Sequence, residues 1–196
     1  TNKMNKSLII TLVVLAAAVL FGVKVYNNLV SLDEQVTNAW SDVETQYQRR
    51  SDLIPNLVNI VKGYAKHEAT TLQSVIEARS KATSINVDAS NLTPEKLAEF
   101  QKAQNSISGA LGRLIAVAEN YPDLKANQNF LELQAQLEGT ENRINFARQK
   151  FNETTKNFNV AVRKFPNNLI AGFGGFNERP YFKADEGTEK APTVNF

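Results

Sequence analysis

The sequence predicts an all-α protein: an N-terminal transmembrane helix, an up-down antiparallel bundle of about four long helices, and an extended C-terminal tail. Three observations lead to this prediction. Residues 8–23 carry no charge, apolar residues recur at steps of three and four through most of the chain, and one apolar series has a strict seven-residue period. We therefore divide the chain into an anchor (residues 1–25), a helical bundle (26–166) and a tail (167–196).

The uncharged stretch reads LIITLVVLAAAVLFGV. With its flanks, residues 7–25 would form a helix about 28 Å long, which matches the ~30 Å hydrocarbon core of a bilayer. We expect these residues to contact the lipid bilayer as a single-pass anchor in the cell membrane. Because Lys3 and Lys6 precede the span and only Lys24 closely follows it, the positive-inside rule favours a cytoplasmic N-terminus and an extracytoplasmic bundle.

A cleaved signal peptide is the alternative interpretation of this end. The two early lysines supply a basic start, and residues 16–18 are three alanines of the small size that cleavage requires. Apolar residues continue to Val23, however, so cleavage at the alanines would leave an apolar new terminus. The sequence therefore favours an uncleaved anchor.

The first bundle helix is predicted from about residue 26 to residue 61, and it carries Trp40 on its apolar face. No glycine separates it from the anchor, so the two segments are expected to form one helix. Pro55 should kink this helix, because proline removes a backbone donor and crowds the preceding turn. A turn is expected within residues 63–67, where Gly63 interrupts the pattern.

The next two helices have clear boundaries. The second is predicted over about residues 68–84 and is followed by a polar loop at 86–91. Thr93 and Pro94 are a typical helix start, with threonine as N-cap and proline at the first helical position. The third helix then continues to a point before Pro122.

The fourth helix has the most regular pattern. Its apolar residues lie seven positions apart: Phe130, Leu137, Ile144, Phe151, Phe158 and Phe165. A sustained seven-residue period is typical of a coiled coil, in which supercoiling keeps one seam against a partner helix. Pro166 should end this helix.

The tail differs in composition from the helices. Residues 169–176 mix glycine with apolar and aromatic residues, and Val194 and Phe196 fall on one side of an extended chain end. Apolar residues so near a terminus predict that the tail docks, either on its own bundle or on a neighbouring subunit. A frayed end is the alternative.

Composition excludes several functional classes. The chain has no cysteine and one histidine, His67, so it offers no thiol chemistry and no histidine-rich metal site. Its net charge is +2 with both signs interspersed, which gives no electrostatic signature of nucleic-acid binding. No phosphate-binding loop, nucleophile elbow or zinc-protease motif occurs. We expect no catalytic residue, no metal site and no cofactor.

Polar residues at helical spacing are the remaining candidates. The set comprises Arg50 at a core position, Glu141 and Arg148 beside the seam, and the row Asn145, Asn152 and Asn159. A ligand-binding network is one interpretation. We favour pairing across helices that fixes their register, because no catalytic spacing accompanies these residues.

Other short motifs have structural interpretations. His67 and Glu68 are adjacent and so point apart on a helix, which favours a capping or surface pair. Gly109 and Gly112 are interpreted as sites of close helix packing. The glycines at 172, 174 and 175 have no strand-to-helix context that would make them a phosphate loop.

Many of these residues together resemble the LemA family. The residues that carry the resemblance are Trp40, 47–58 (YQRRSDLIPNLV), 64–68 (YAKHE), Ala78-Arg79, 121–127 (YPDLKAN), 137–144 (LEGTENRI), Ala147-Arg148 with Phe151-Asn152, and Phe165-Pro166. Phe151 and Phe158 depart from the tyrosine expected before asparagine in many relatives. The resemblance implies a bacterial membrane protein with a helical-bundle domain and no established enzymatic activity, and a magnetosome relative implies a role in membrane organisation.

Two functions remain open at this point. The first is a membrane-anchored, non-enzymatic scaffold that forms homo-oligomers and organises membrane. The second is a monomeric adaptor or sensor that binds a partner protein through a helical groove. An enzyme or metal protein is disfavoured by the composition.

Overall fold

The structure is a computed structural model that describes residues 6–184. Over these residues the chain is helical and contains no strand, which confirms the all-α prediction. The helices are α1 (Lys6–Tyr64), α2 (Ala69–Ser84), α3 (Pro94–Ala118), α4 (Pro122–Lys125), α5 (Gln128–Arg163) and α6 (Asn167–Gly174), with a 3-10 turn at Ala89–Asn91. Two of them, α4 and α6, were not predicted, and α6 lies where an extended tail was expected.

Helix α1 joins the apolar N-terminal segment to the rest of the chain without a break. Its 59 residues give a length of about 88 Å, and it has the length and hydropathy of a membrane span near its N-terminus. The large apolar side chains of this segment are exposed, from Leu8 to Val23. The prediction of one long apolar N-terminal helix, consistent with membrane anchoring, is confirmed. Pro55 lies inside α1 without ending it.

Helix α5 runs antiparallel to α1 and makes its most extensive contacts with that helix. Two ion pairs define the register: Lys150 Nζ lies 2.9 Å from Asp42 Oδ2, and Arg50 Nη1 lies 2.6 Å from Glu141 Oε1. The eight residues from Asp42 to Arg50 on α1 therefore lie opposite the nine from Lys150 back to Glu141 on α5. Nearly equal numbers are expected for two antiparallel helices with aligned axes, because both rise by the same distance per residue. The pairing places the C-terminal end of α5 beside the end of the apolar segment.

The seven-residue series of α5 faces inward, and five of its six members are buried: Phe130, Leu137, Ile144, Phe151 and Phe158. The sixth, Phe165, is 80% exposed, so the prediction that it belongs to the seam is wrong. The helix ends at Arg163, because the residue before a proline is disfavoured in the helical conformation. The seam is thus filled within one chain, largely by α1.

Two hydrophobic clusters lie along the molecule. The cluster nearer the apolar segment is aromatic: the Trp40 ring centroid lies 5.2 Å from that of Phe100 and 5.6 Å from that of Phe151. The distal cluster is aliphatic and includes Leu57 and Leu114. Burial of these apolar surfaces is the main source of stability for such an arrangement.

The predicted helix start at Thr93 is present, because Thr93 Oγ1 accepts a hydrogen bond from Lys96 N at 3.3 Å. Helix α5 has a similar start that the sequence analysis did not predict, in which Asn127 Oδ1 accepts from Phe130 N at 3.0 Å. The loop between α2 and α3 is fixed to α1, because Trp40 Nε1 donates to the Val87 carbonyl oxygen at 3.2 Å. This loop therefore lies against the aromatic cluster, where the tail also arrives.

Candidate functional site

The tail runs along α5 and is held by two asparagines of the predicted row. Asn159 Oδ1 accepts from Arg179 N at 2.8 Å, and Asn159 Nδ2 donates to the Arg179 carbonyl oxygen at 2.9 Å. Asn152 makes the same two bonds to Phe182, at 2.9 and 3.1 Å. Each carboxamide thus pairs with a backbone N–H and C=O of one residue, as a neighbouring strand would. We call residues 177–184 the docked segment.

The spacing of this asparagine clamp follows from elementary geometry. Seven residues of α-helix rise about 10.5 Å, and three residues of extended chain span roughly 10 Å. Asparagines seven apart on α5 therefore match backbone groups three apart on an extended segment. The order along each chain is opposite, so the docked segment is antiparallel to α5. Asn145, the third member of the row, is exposed.

Two side chains of the docked segment fill positions between helices. Phe182 is buried, its ring centroid 5.9 Å from that of Trp40, and the Arg148 guanidinium lies 5.1 Å from its centroid. Arg179 Nη2 lies 2.8 Å from Asp33 Oδ1 on α1, and its Nη1 donates to the Ala89 carbonyl oxygen at 2.8 Å. The docked segment thus joins α5, α1 and the α2–α3 loop.

The tail therefore docks in cis over the described residues, which answers one question that the sequence left open. The C-terminal Val194 and Phe196 lie outside the described residues. The sequence reasoning recognised the asparagine row but not its partner, because the backbone of residues 177–184 carries no periodic signal.

Arg50 is the second polar feature, and it is only 1% exposed. Its Nη2 donates to the carbonyl oxygen and to Oε1 of Gln104, at 2.9 and 2.7 Å. Its Nη1 donates to Ser108 Oγ at 2.7 Å and to Glu141 Oε1 at 2.6 Å. A single guanidinium therefore cross-links α1, α3 and α5 at a fixed register. This arrangement agrees with the predicted pairing of polar residues across helices.

A crevice of about 300 Å³ lies between α1 and the start of α3, lined by Glu44, Tyr47, Ser51, Phe100 and Gln104 among others. Burial raises the pKa of Glu44 above its usual value of 4.5, and the negative charge of Asp88 acts in the same direction, while a hydrogen bond from Trp40 opposes them. The Ser51 hydroxyl is buried and has no hydrogen-bond partner among the described residues. Of these two polar groups only the half-buried Glu44 carboxyl can meet an entering molecule, because the Ser51 oxygen is closed to solvent.

The other sequence candidates have no common site. His67 and Glu68 lie in the turn between α1 and α2, and Glu68 Oε1 accepts from the Tyr121 hydroxyl at 3.2 Å. Within residues 6–184, no group of three potential metal ligands lies close enough to hold an ion.

The glycines have different roles from those expected. A Cβ at Gly112 would meet no described atom within 4 Å, and one at Gly109 would meet only the end of Arg113, so the close-packing interpretation is wrong for the described part. Gly175 has a φ of +73° after the last residue of α6, a left-handed position that favours glycine at a helix end.

Replacing both clamp asparagines, Asn152→Ala with Asn159→Ala, should release the docked segment. Five hydrogen bonds to the docked segment are lost, including one from Asn159 Nδ2 to the Tyr181 hydroxyl, each with a net contribution of about 0.5–1.5 kcal/mol. Trypsin cleavage after Lys183, followed by mass spectrometry, should become at least roughly tenfold faster. The matched control is Asn145→Ala, which removes the exposed member of the row and should leave the rate unchanged. Equal rates in all three proteins would contradict the clamp.

The Arg50 cross-link is tested by a double-mutant cycle measured by urea unfolding. Glu141→Gln should lower the free energy of unfolding by about 1–3 kcal/mol, because the acceptor loses the charge that strengthens its hydrogen bond to Arg50. In an Arg50→Met background the same change should cost close to nothing, since its partner is gone. Glu153→Gln, an exposed glutamate on the same helix, is the control. Equal costs for Glu141→Gln in both backgrounds would refute the pairing.

Comparison with known proteins places this arrangement in a family. A model described as the LemA family matches residues 39–196. Magnetosome protein MamQ 2 of Paramagnetospirillum magneticum is 26% identical over 179 residues, which cover 81% of this chain and 64% of the relative. Magnetosome protein MamQ of Magnetospirillum gryphiswaldense is 26% identical over 176 residues, covering 80% and 64%.

A relative with a different name is also similar. Protein LemA of Metamycoplasma hominis is 28% identical over 145 residues, covering 74% of this chain and 63% of that protein. The chain thus spans less than two thirds of the length of these relatives and matches the family model over most of its own. The match includes the buried Arg50, its partner Glu141, and the asparagine clamp with its docked segment. This chain belongs to the LemA family.

Proposed function

We propose that this protein is a membrane-anchored, non-enzymatic scaffold that self-associates and organises membrane. The observation that carries the proposal is the continuity of α1. One helix passes from the apolar segment into the packed part of the chain, and about 58 Å of it, from residue 26 to Tyr64, lies beyond the anchor. A partner that binds this part is therefore held at a fixed distance from the bilayer.

A rigid connection between anchor and packed helices is more useful to a scaffold than to a tethered catalyst. Bending α1 near residue 24 would break several of its backbone hydrogen bonds. The nearest glycine, Gly22, is helical and packs against Ile170, and no other glycine or proline follows before Pro55. The aromatic cluster and the docked segment then fix α5 on α1 immediately beyond this point. The part of the chain beyond the anchor, residues 26–184, should therefore keep one orientation relative to the anchor, and we call it the helical body.

Self-association requires a surface other than the seven-residue seam, because the seam is filled within the chain. The outer face of α5 supplies one. Phe146 is 69% exposed, and Val160, two heptads further on, is also exposed on the same side of the helix. Each lies two positions after a seam residue, so both point away from α1. We place the contact between copies on this face, where Phe146 and Val160 offer apolar side chains for burial.

The relatives support a role at a membrane. Two of those described above are named magnetosome proteins, and none of the names describes a catalysed reaction. We extend this to a single-pass protein of the cell membrane whose helical body lies on the extracytoplasmic side, on the strength of the positive-inside rule.

The alternative function is a monomeric adaptor or sensor that binds a partner protein. The crevice beside Glu44 favours it, because the half-buried Glu44 carboxyl group can accept a hydrogen bond from an incoming side chain. In this case the protein should remain a monomer, and Glu44→Gln should weaken recovery of one dominant partner.

Self-association is tested by measuring the mass of the full-length protein in lipid nanodiscs or native membrane extracts. The unmodified protein should form oligomers, and Phe146→Glu with Val160→Glu should shift it to monomers by placing charge in an apolar contact. Gln149→Glu adds one charge on the same helix as a control and should leave the mass unchanged. A monomer at every concentration would contradict self-association and favour the adaptor.

Sidedness is tested separately with a single cysteine. The chain has no cysteine of its own, so Gln149→Cys, at an exposed position of α5, provides one reactive thiol. An impermeant maleimide should label it in intact cells. Labelling that requires permeabilised cells would place the helical body in the cytoplasm.

A further inference from the structure

Helix α6 packs against α1 where the apolar segment ends. Ile170 Cδ1 lies 3.6 Å from the position that a Cβ would occupy on Gly22. Ala171 is buried in the same cluster as Val25 and Leu29. The Tyr26 and Phe176 rings, just beyond, have centroids 5.5 Å apart. These contacts place α6 level with about residues 22–29 of α1.

The register of α5 leads to the same level. Its pairing with α1, defined by the Asp42–Lys150 and Arg50–Glu141 ion pairs, places the last helical residue, Arg163, opposite about residue 28. The chain then passes through Phe165 into α6. The turn between α5 and α6 therefore lies beside the end of the apolar segment as well.

The face of α6 and of the preceding turn that points away from α1 is apolar and exposed. Phe173 is 93% exposed, Leu169 is 54% exposed, and Phe165 is 80% exposed. Leu169 and Phe173 are four residues apart on α6 and so share a face, while Ile170 and Ala171 face α1. A short helix with apolar residues on both sides is expected only where both sides are removed from water.

The position of this face identifies what covers it. Residues 7–25 match the thickness of a hydrocarbon core, so the level of residues 22–26 is the boundary between acyl chains and headgroups. Tyrosine and tryptophan concentrate at that boundary, and the exposed Tyr26 lies at this level. Lys24 and Lys164 are exposed near the same level, where they can approach lipid phosphates.

We propose that α6 together with Phe165 forms a second membrane contact, in which Leu169, Phe173 and Phe165 insert into the headgroup–acyl boundary of the leaflet that α1 enters. The ligand of this surface is the lipid of that leaflet. The proposal rests on the membrane anchoring of α1 proposed above. Two contacts, one spanning and one interfacial, fix the tilt of α1 in the bilayer and the side toward which it tilts, both of which a single spanning helix leaves free.

The test uses full-length protein in vesicles of phosphatidylcholine and phosphatidylglycerol, with one fluorophore attached through a single cysteine. Phe173→Cys reports the proposed contact, Val13→Cys reports the span, and Gln149→Cys reports the helical body. Lipids brominated near the headgroup end of the acyl chain quench a fluorophore that lies at that depth. We expect at least twofold quenching at position 173, quenching at position 13 by deeply brominated lipid, and none at position 149.

The outcomes separate the two proposals. If position 13 is quenched and position 173 is not, α1 is anchored and the second contact is wrong. If neither is quenched, the anchoring itself fails. If position 173 is shielded from an aqueous quencher without quenching by brominated lipid, and the shielding falls on dilution of protein in lipid, a second copy covers this face and the lipid contact is overturned.

Because Leu169, Phe173 and Phe165 are exposed, replacing all three with serine should leave the helical body folded. The variant should keep its helical circular dichroism and remain in the vesicles through α1. A fluorophore on Asn177→Cys, at the start of the docked segment, should then lose at least half of its shallow-lipid quenching. Unchanged quenching in the folded variant would contradict the role of these side chains.

Discussion

The packing of α5 against α1 through one seven-residue seam determines where every other element of the protein lies. Aromatic and aliphatic side chains on α5 meet the apolar face of α1, and the Arg50 and Asp42 ion pairs select one register. The long α1 gains its rigidity beyond the apolar segment from this contact, because helical stability in water comes mostly from burying an apolar face. With the register fixed, the C-terminal end of α5 must return to the end of the apolar segment.

That return explains the tail. The chain leaves α5 next to the anchor, forms α6 there, and then turns back along the outside of α5 as the docked segment. The clamp needs only two carboxamides, because helical and extended chain spacings coincide at seven and three residues. Arg179 and Phe182 add an ion pair and an aromatic contact to α1, so the docked segment strengthens the same α1–α5 packing that positions it.

Sequence reasoning succeeded where the signal is local or periodic. The Thr93 cap, the turn after α1 and the seam of α5 depend on neighbouring residues, and the structure has each of them. It failed at α6, because Gly172 and Gly174 lower helix propensity and the compensating contacts of Ile170 and Ala171 with α1 are far away in sequence. The targets of Asn152 and Asn159 were missed for the same reason. Periodicity shows that a row exists, but only tertiary structure shows what the row faces.

Helix α1 runs without interruption from the apolar segment into the packed part of the chain, and a distance measurement tests this continuity most directly. Spin labels on Leu12→Cys and Asn38→Cys, both exposed positions of α1, are separated by 26 residues. In lipid nanodiscs, pulsed electron paramagnetic resonance should give one narrow distance distribution centred at about 39 Å. A broad distribution, or one centred well below that distance, would show a hinge between anchor and body and would contradict the account.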